Sequence, residues 1–208
     1  SSSVDRLNSN MRIINQGECD QALYFIIKGG VLIERVCEDG SYTILGLMSD
    51  CEVLCLGAAI LNGDPAPVGA VIHGPSVVLK IPFNEVSHLF KNDTNFSCAL
   101  LSMITKNFEF FLTHQEVVTL YSPEYRVAWY LLLLYKKNCI VSKSNRFRLY
   151  FPKKVIAVFL GMQPETFSRV LQKKIPGIKI QASIVTVYDI KKLYAAVSVR
   201  NKKGTANC

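Results

Sequence analysis

From Asn95 to Tyr121 the chain contains no glycine and no proline. A stretch this long without a breaker predicts one helix of about 40 Å, at 1.5 Å per residue. That helix divides the chain into two halves of different texture. Upstream, turn residues recur about every ten positions, which suggests a β-sandwich or barrel rather than βαβ units. Downstream, helices begin at prolines and short β runs follow. The predicted fold is therefore α+β: a β-sandwich or barrel over residues 1–92, a long helix over 93–121, and a second, mainly helical domain with short β runs over 122–208.

In the first half, Leu23–Lys28 ends in Gly29-Gly30, read as a turn, and Val31–Val36 follows. Glu38-Asp39-Gly40 then predicts a hairpin into Tyr42–Leu47. Val53–Leu56, Val68–His73 and Val77–Ile81 read as further strands. Asn62-Gly63-Asp64-Pro65 and Gly74-Pro75 read as breakers between them. Asn84–Phe90 reads as a short helix, and Asp93 or Thr94 as the cap of the long one. Along that helix Leu101, Ile104, Phe108, Phe111, Gln115 and Val118 alternate at steps of three and four. This is the a/d spacing of a coiled-coil dimer, with polar Gln115 as a register-setting residue. The alternative is a helix packed on its own sandwich, since Phe110 and Leu112 are apolar outside the stripe.

In the second half, Ser122-Pro123-Glu124 restarts a helix over Pro123–Lys137. Lys143–Tyr150 reads as a basic strand, Pro152–Leu160 and Pro164–Lys174 as helices around Gly161-Met162-Gln163, and Ile178–Ile180 with Ile184–Val187 as a wing. Ile190–Val197 is a final helix, and Arg200–Cys208 a basic tail.

Charge separates the halves as sharply as breakers do. Residues 1–121 hold 7 basic and 13 acidic side chains, net −6, and residues 122–208 hold 17 and 3, net +14. A basic half attracts a polyanion, with nucleic acid first and an anionic membrane second. No apolar run reaches the ~18–20 residues of a membrane span, and polar Ser1–Asn10 does not read as a signal peptide. The seven cysteines, Cys19, Cys37, Cys51, Cys55, Cys98, Cys139 and Cys208, show no C-x-x-C and no disulfide framework. They read mostly as small buried hydrophobes in a reducing, cytoplasmic protein; Cys51 with Cys55 is a weak metal or redox pair. No nucleophile–base pair or phosphate-cradling loop stands out, so the chain reads as no enzyme. A metal-dependent cupin would need several histidines, and only His73 lies within a strand.

Helix, glycine-containing turn, helix is the helix-turn-helix pattern. Ile156, Ala157, Leu160, Phe167, Val170 and Leu171 supply its small core. Glu165, Ser168 and Arg169 share one face and point outward as base readers. Gln163, Thr166 and Lys173 suit phosphates or flanking bases, and Lys153, Lys154 and Lys174 add non-specific affinity.

In order of parts the chain resembles the regulators of the cyclic-AMP receptor protein and fumarate-nitrate reductase regulator (Crp/Fnr) family. Asn15-Gln16-Gly17-Glu18 with Leu23–Val31 resembles the start of the family's sensor domain, which implies a β jelly-roll over residues 1–92 ahead of a winged helix-turn-helix domain over 122–208. Pro123-Glu124-Tyr125-Arg126-Val127-Ala128 resembles the start of its DNA-binding domain. Ile156 to Leu171 is similar to its helix-turn-helix throughout. The resemblance implies a homodimer on palindromic DNA, with RNA polymerase as a further partner. Glu165, Ser168 and Arg169 match the E-x-x-S-R pattern of the fumarate-nitrate branch, which implies TTGAT-like half-sites. Gln163 to Arg169 also resembles the nitric-oxide-responsive regulators of nitrate respiration, implying a role in nitrosative stress.

The departures concern the sensor. A cyclic-nucleotide site in this family takes a Glu for the ribose and an Arg for the cyclic phosphate. Gly57 and Pro67 stand there instead, and no arginine lies between Arg35 and Arg126. No cyclic nucleotide is expected, because a buried phosphate without a matched cation is costly. The clustered N-terminal cysteines of the iron–sulfur branch are missing as well. The resemblance leaves haem with nitric oxide, thiol redox state, a small metabolite or no signal at all. His73, His88, His114, Met48 and Met103 are side chains able to ligate haem iron, with His114, beside the seam, the first choice. Against this, each reads first as a satisfied or exposed side chain and only second as a ligand. A different reading makes the chain a ligand-binding module whose basic half docks on a membrane or an acidic protein, without preference for DNA sequence.

Overall fold

The computed structural model describes residues 1–19, 22–54, 65–142, 144–173 and 175–198. Cys55, Gly57, the Asn62-Gly63-Asp64 turn, Lys143, Lys174 and Arg200–Cys208 lie outside the described residues. The chain forms two compact units, Ser1–Glu109 and Phe110–Cys208.

The first unit is a β jelly-roll built on two long strands. In order it comprises β1 (Ser3–Leu7), β2 (Arg12–Ile14), β3 (Ala22–Val36), β4 (Tyr42–Ser49), β5 (Glu52–Leu54), β6 (Gly69–Pro82) and helix α1 (Phe83–Asn92). All pairings are antiparallel: β3 lies between β4 and β6, β5 also pairs with β3, and β1 and β2 pair with β6. The alternation of β3 sorts its side chains onto two faces. Tyr24 and Ile26 join Ile14, Val31, Ile72 and Val78 in the inner core. Leu23 and Phe25 face the other way, where Val86, Phe96 and Leu100 of the helices cover them.

Two predicted turns are instead interior to strands. Gly29-Gly30 lies within β3 and Gly74-Pro75 within β6. The partner strand continues past both, and the register slips around Lys28 absorb the irregular backbone as bulges. Gly29 sits at φ +118°. Its N–H donates to Asp50 Oδ1 at 2.6 Å, and that of Gly30 donates to buried Ser76 Oγ at 3.2 Å. The Asp39-Gly40 hairpin forms as expected between β3 and β4. Strand β1 falls within Ser1–Asn10, which reads as polar, and pairing with β6 overrides local propensity there; β2 is a three-residue strand, with Ile14 buried, that the sequence reading leaves unassigned.

The long helix, α2 (Thr94–Leu120), is capped by Asp93, whose Oδ1 accepts from Phe96 N–H at 3.0 Å. Its C-terminal part belongs to the second unit. There follow α3 (Pro123–Ser142), β7 (Arg146–Arg148), α4 (Lys153–Phe159), α5 (Pro164–Gln172), β8 (Ile178–Gln181), β9 (Ile184–Val187) and α6 (Ile190–Ser198). Ser122 caps α3 through Oγ to Tyr125 N–H at 3.3 Å. Helix α3 is longer, and β7 shorter, than the sequence predicts. Val127, Leu131, Ile156, Leu160, Phe167, Val185 and Leu193 are fully buried and form the unit's core. Among the described residues, no helix is long and apolar enough to cross a membrane.

The cysteines are not the buried hydrophobes predicted: Cys19, Cys37, Cys51 and Cys98 are exposed and Cys139 is half-buried. Cys37 and Cys51 flank tight turns, where topology rather than residue type decides exposure.

A side chain at position 29 meets Ser76, whose Cα lies 2.7 Å from an added Cβ. Gly29→Ala is therefore expected to destabilise the first unit by at least about 2 kcal/mol, measured by urea denaturation followed by circular dichroism.

Candidate nucleic-acid interface

Helix α4 ends in a Schellman motif. Met162 N–H bonds Ala157 O at 3.0 Å and Gly161 N–H bonds Val158 O at 2.9 Å. Gly161 holds the left-handed conformation that this ending requires, at φ +61°. Pro164 then opens α5, where its missing N–H leaves no intrahelical bond unmade.

The next carbonyls of the turn are taken by side chains. His114, from the end of α2, directs Nε2 to Phe159 O at 2.8 Å. A carbonyl only accepts, so Nε2 carries the proton. Arg126, from α3, donates Nη1 to Leu160 O at 3.1 Å and to Gly161 O at 3.0 Å, and Nε to Tyr121 O at 2.9 Å. Both side chains are 5% exposed. The His114 ring stacks on Phe159, with centroids 4.2 Å apart and planes 13° apart, and lies near Trp129 and Phe110.

On this support α5 buries Phe167 and Val170 and leaves Glu165 and Arg169 exposed. Ser168 and Thr166 are half-buried, and Gln163 and Lys173 are exposed at either end of α5. Lys153 and Lys154 are exposed at the start of α4. A groove of about 600 Å³ lies between α5 and the wing, with Lys153, Ser168, Gln172, Lys179 and Tyr188 along it. The structure thus brings Lys153 and Ser168 to one groove, while Gln163 and Lys173 stand at the ends of the helix. Lys179 and Tyr188 were not singled out from sequence; the alternation Ile178-Lys179-Ile180-Gln181 is the signal that sets Lys179 on the outer face of the wing.

The predicted seam residues are spread along α2. Leu101, Ile104, Phe108 and Phe111 are 53%, 40%, 58% and 47% exposed, Gln115 is exposed, and Val118 is half-buried. Phe110, outside this stripe, stacks on Trp129 at 5.8 Å.

Of the candidate iron ligands, His114 is buried with Nε2 already engaged, so the structure gives it a place in the turn rather than an open coordination site. His73 is half-buried in β6, and burial lowers its pKa. His88 is exposed on α1. Among the described residues, no three His, Cys, Asp or Glu side chains gather as a metal site.

Burial pushes the pKa of His114 below its ordinary 6.5, and the bond to Phe159 opposes the shift. The unfolded chain therefore takes up a proton before the native one does. The stabilisation is whole above about pH 6.5 and is lost as pH falls toward the native pKa. Acidification from about pH 7 to about pH 5 is expected to destabilise the second unit, with Trp129 fluorescence as the reporter. His114→Gln is expected to flatten that dependence relative to wild type.

Comparison with known proteins places this geometry. Residues 4–93 match the cyclic nucleotide-binding domain model, and residues 125–175 match the Crp-like helix-turn-helix domain model. No curated protein sequence matches the chain. Among solved structures, FixK2 from Bradyrhizobium japonicum superposes with a TM-score of 0.82 at 16% identity, over 94% of this chain and 97% of that one. A CooA variant from Carboxydothermus hydrogenoformans gives 0.75 at 14% identity, over 95% and 88%. The c-di-GMP-responsive global regulator CLP of Xanthomonas campestris gives 0.65 at 18% identity, over 90% and 94%. At these identities the likeness is one of fold.

Proposed function

The chain belongs to the Crp/Fnr family of transcription regulators, and from that premise we propose that it is a homodimer reading an inverted repeat of TTGAT-like half-sites through α5. The observation that carries the reading is the exposed edge of α5. Glu165 and Arg169 stand one turn apart, with Ser168 beside them and lysines at the adjoining helix start and wing. A carboxylate accepts from cytosine N4, and a guanidinium bonds guanine O6 and N7 together. Lys153, Lys154 and Lys179 are suited to phosphates, which set affinity and register but not sequence. Gln163, Thr166 and Lys173 are assigned to flanking contacts. No catalytic step is assigned to the protein.

The dimer is inferred from α2. Leu101, Ile104, Phe108 and Phe111 form an uncovered apolar stripe at coiled-coil spacing, and a second copy of the helix would remove it from water. A charged residue in that stripe, Phe108→Lys or Phe111→Lys, is expected to shift the protein to monomers in sedimentation velocity and to weaken palindrome binding in parallel.

The signal is inferred to be something other than a cyclic nucleotide. The sensor carries no arginine between Arg35 and Arg126 to neutralise a cyclic phosphate. Haem with nitric oxide, thiol redox state and a small metabolite remain the candidates, with RNA polymerase as the downstream partner. Fluorescence anisotropy with a labelled TTGAT palindrome, with and without haem and nitric oxide, tests both halves of the reading. A scrambled duplex bound as tightly as the palindrome sinks sequence recognition and favours the basic docking module. Specific binding indifferent to haem and nitric oxide keeps the regulator and discards that signal.

The two contact classes are expected to separate on mutation. Arg169→Ala should cost about 1–3 kcal/mol on the palindrome and relax preference at one base pair. Lys153→Ala with Lys154→Ala should weaken palindrome and scrambled duplex alike, and lower the log–log salt slope by about one per phosphate lost. Anisotropy titrations over a range of salt concentrations measure both.

A further inference from the structure

A helix leaves its last four carbonyls without intrahelical partners, and water or backbone amides ordinarily take them. At the end of α4 the Schellman amides satisfy Ala157 and Val158. The next three carbonyls in sequence, Phe159, Leu160 and Gly161, go to side chains from two other helices. His114 comes from α2 and Arg126 from α3, so the donors stand on opposite sides of the Tyr121-Ser122 joint between those helices. Both are buried. The imidazole is held against Phe159 and beside Trp129, so it has little freedom to swing. Arg126 is also fixed at its near end, because Nε bonds Tyr121 O at the joint itself. Pro164 opens α5 only three residues beyond Gly161, which leaves little slack between the gripped turn and the helix that follows.

We propose that His114 and Arg126 are positioning residues for DNA recognition: by gripping three consecutive carbonyls from either side of the α2–α3 joint, they set the tilt of α5 and make it follow the C-terminal end of α2. A turn of α2 against α3 must then either carry α5 along or break a buried hydrogen bond. Helix α2 begins in the first unit, so the grip is where any twist reaching its last turns would be handed to α5. The inference rests on the DNA-binding reading for its consequence, though not for its geometry.

The test uses the full chain with three substitutions. His114→Phe keeps the stack and loses the donor. His114→Gln keeps a donor. Arg126→Lys keeps the charge but lacks the fork, and serves as an independent variant if His114→Phe does not fold. Residual dipolar couplings of backbone amides report the orientation of α5 relative to α3. Anisotropy reports the ratio of palindrome to scrambled-duplex affinity. In His114→Phe, α5 is expected to reorient while couplings within each helix persist. The affinity ratio is expected to fall about two- to tenfold, with scrambled-duplex affinity unchanged. His114→Gln is expected to restore both.

Identical couplings in wild type and His114→Phe overturn the proposal, whatever the DNA result. A reoriented α5 with an unchanged affinity ratio overturns its functional half. A wild type without palindrome preference sinks the proposed function instead, and the couplings alone then decide whether the pair positions α5.

Discussion

The guanidinium of Arg126 is buried against main-chain carbonyls, and the geometry of the second unit depends on it. Its bonds to Tyr121, Leu160 and Gly161 tie the start of α3 to the turn before α5. A buried cation is tolerated only where its hydrogen-bonding capacity is met, and buried carbonyls carry a matching penalty if left alone. Each group thus makes the other affordable. Gly161 fits the same arrangement: an added Cβ would lie 3.3 Å from Arg126 Nη1, and the φ of +61° already excludes most side chains. The glycine is needed for its backbone shape and for the room it leaves the arginine.

The first unit rests on a different constraint. Its two long strands must pair along most of their length while presenting apolar side chains to two separate cores. Alternation over the first residues of β3 achieves the sorting, with Tyr24 and Ile26 to one side and Leu23 and Phe25 to the other. Continuity through Gly29-Gly30 requires local departures from regular pairing. The bulge, the Asp50 carboxylate and the Ser76 hydroxyl supply partners for amides that would otherwise be stranded there.

Much of the organisation was legible before any coordinates. The unbroken stretch over 95–121 is the long helix, and Ser122-Pro123 starts the next one. The pair of short helices about Gly161 is a local pattern with local causes: a left-handed glycine, a proline at a first turn, and apolar residues at helical spacing. The charge split needs only counting. What was misread depends on partners distant in sequence. Gly29-Gly30 and Gly74-Pro75 look like ends of strands until the neighbouring strand is known to continue. His114 looks like a spare ligand until the Phe159 carbonyl is found beside it. Arg126, quoted only as part of a resemblance, has no visible task until Leu160 and Gly161 arrive 34 and 35 residues later.

The sequence by itself determined the class of each half, the long helix between them, the helix-turn-helix and the basic face around it. These follow from breaker placement, side-chain periodicity and net charge, which act over a few residues or sum over many. Tertiary structure decided which polar groups are buried and what satisfies them. The tautomer of His114, the task of Arg126, the bulge at Gly29 and the groove holding Lys153, Ser168 and Lys179 all fall in this class. Hydrogen bonding and desolvation act over about 3 Å, and separation along the chain says nothing about which groups come that close.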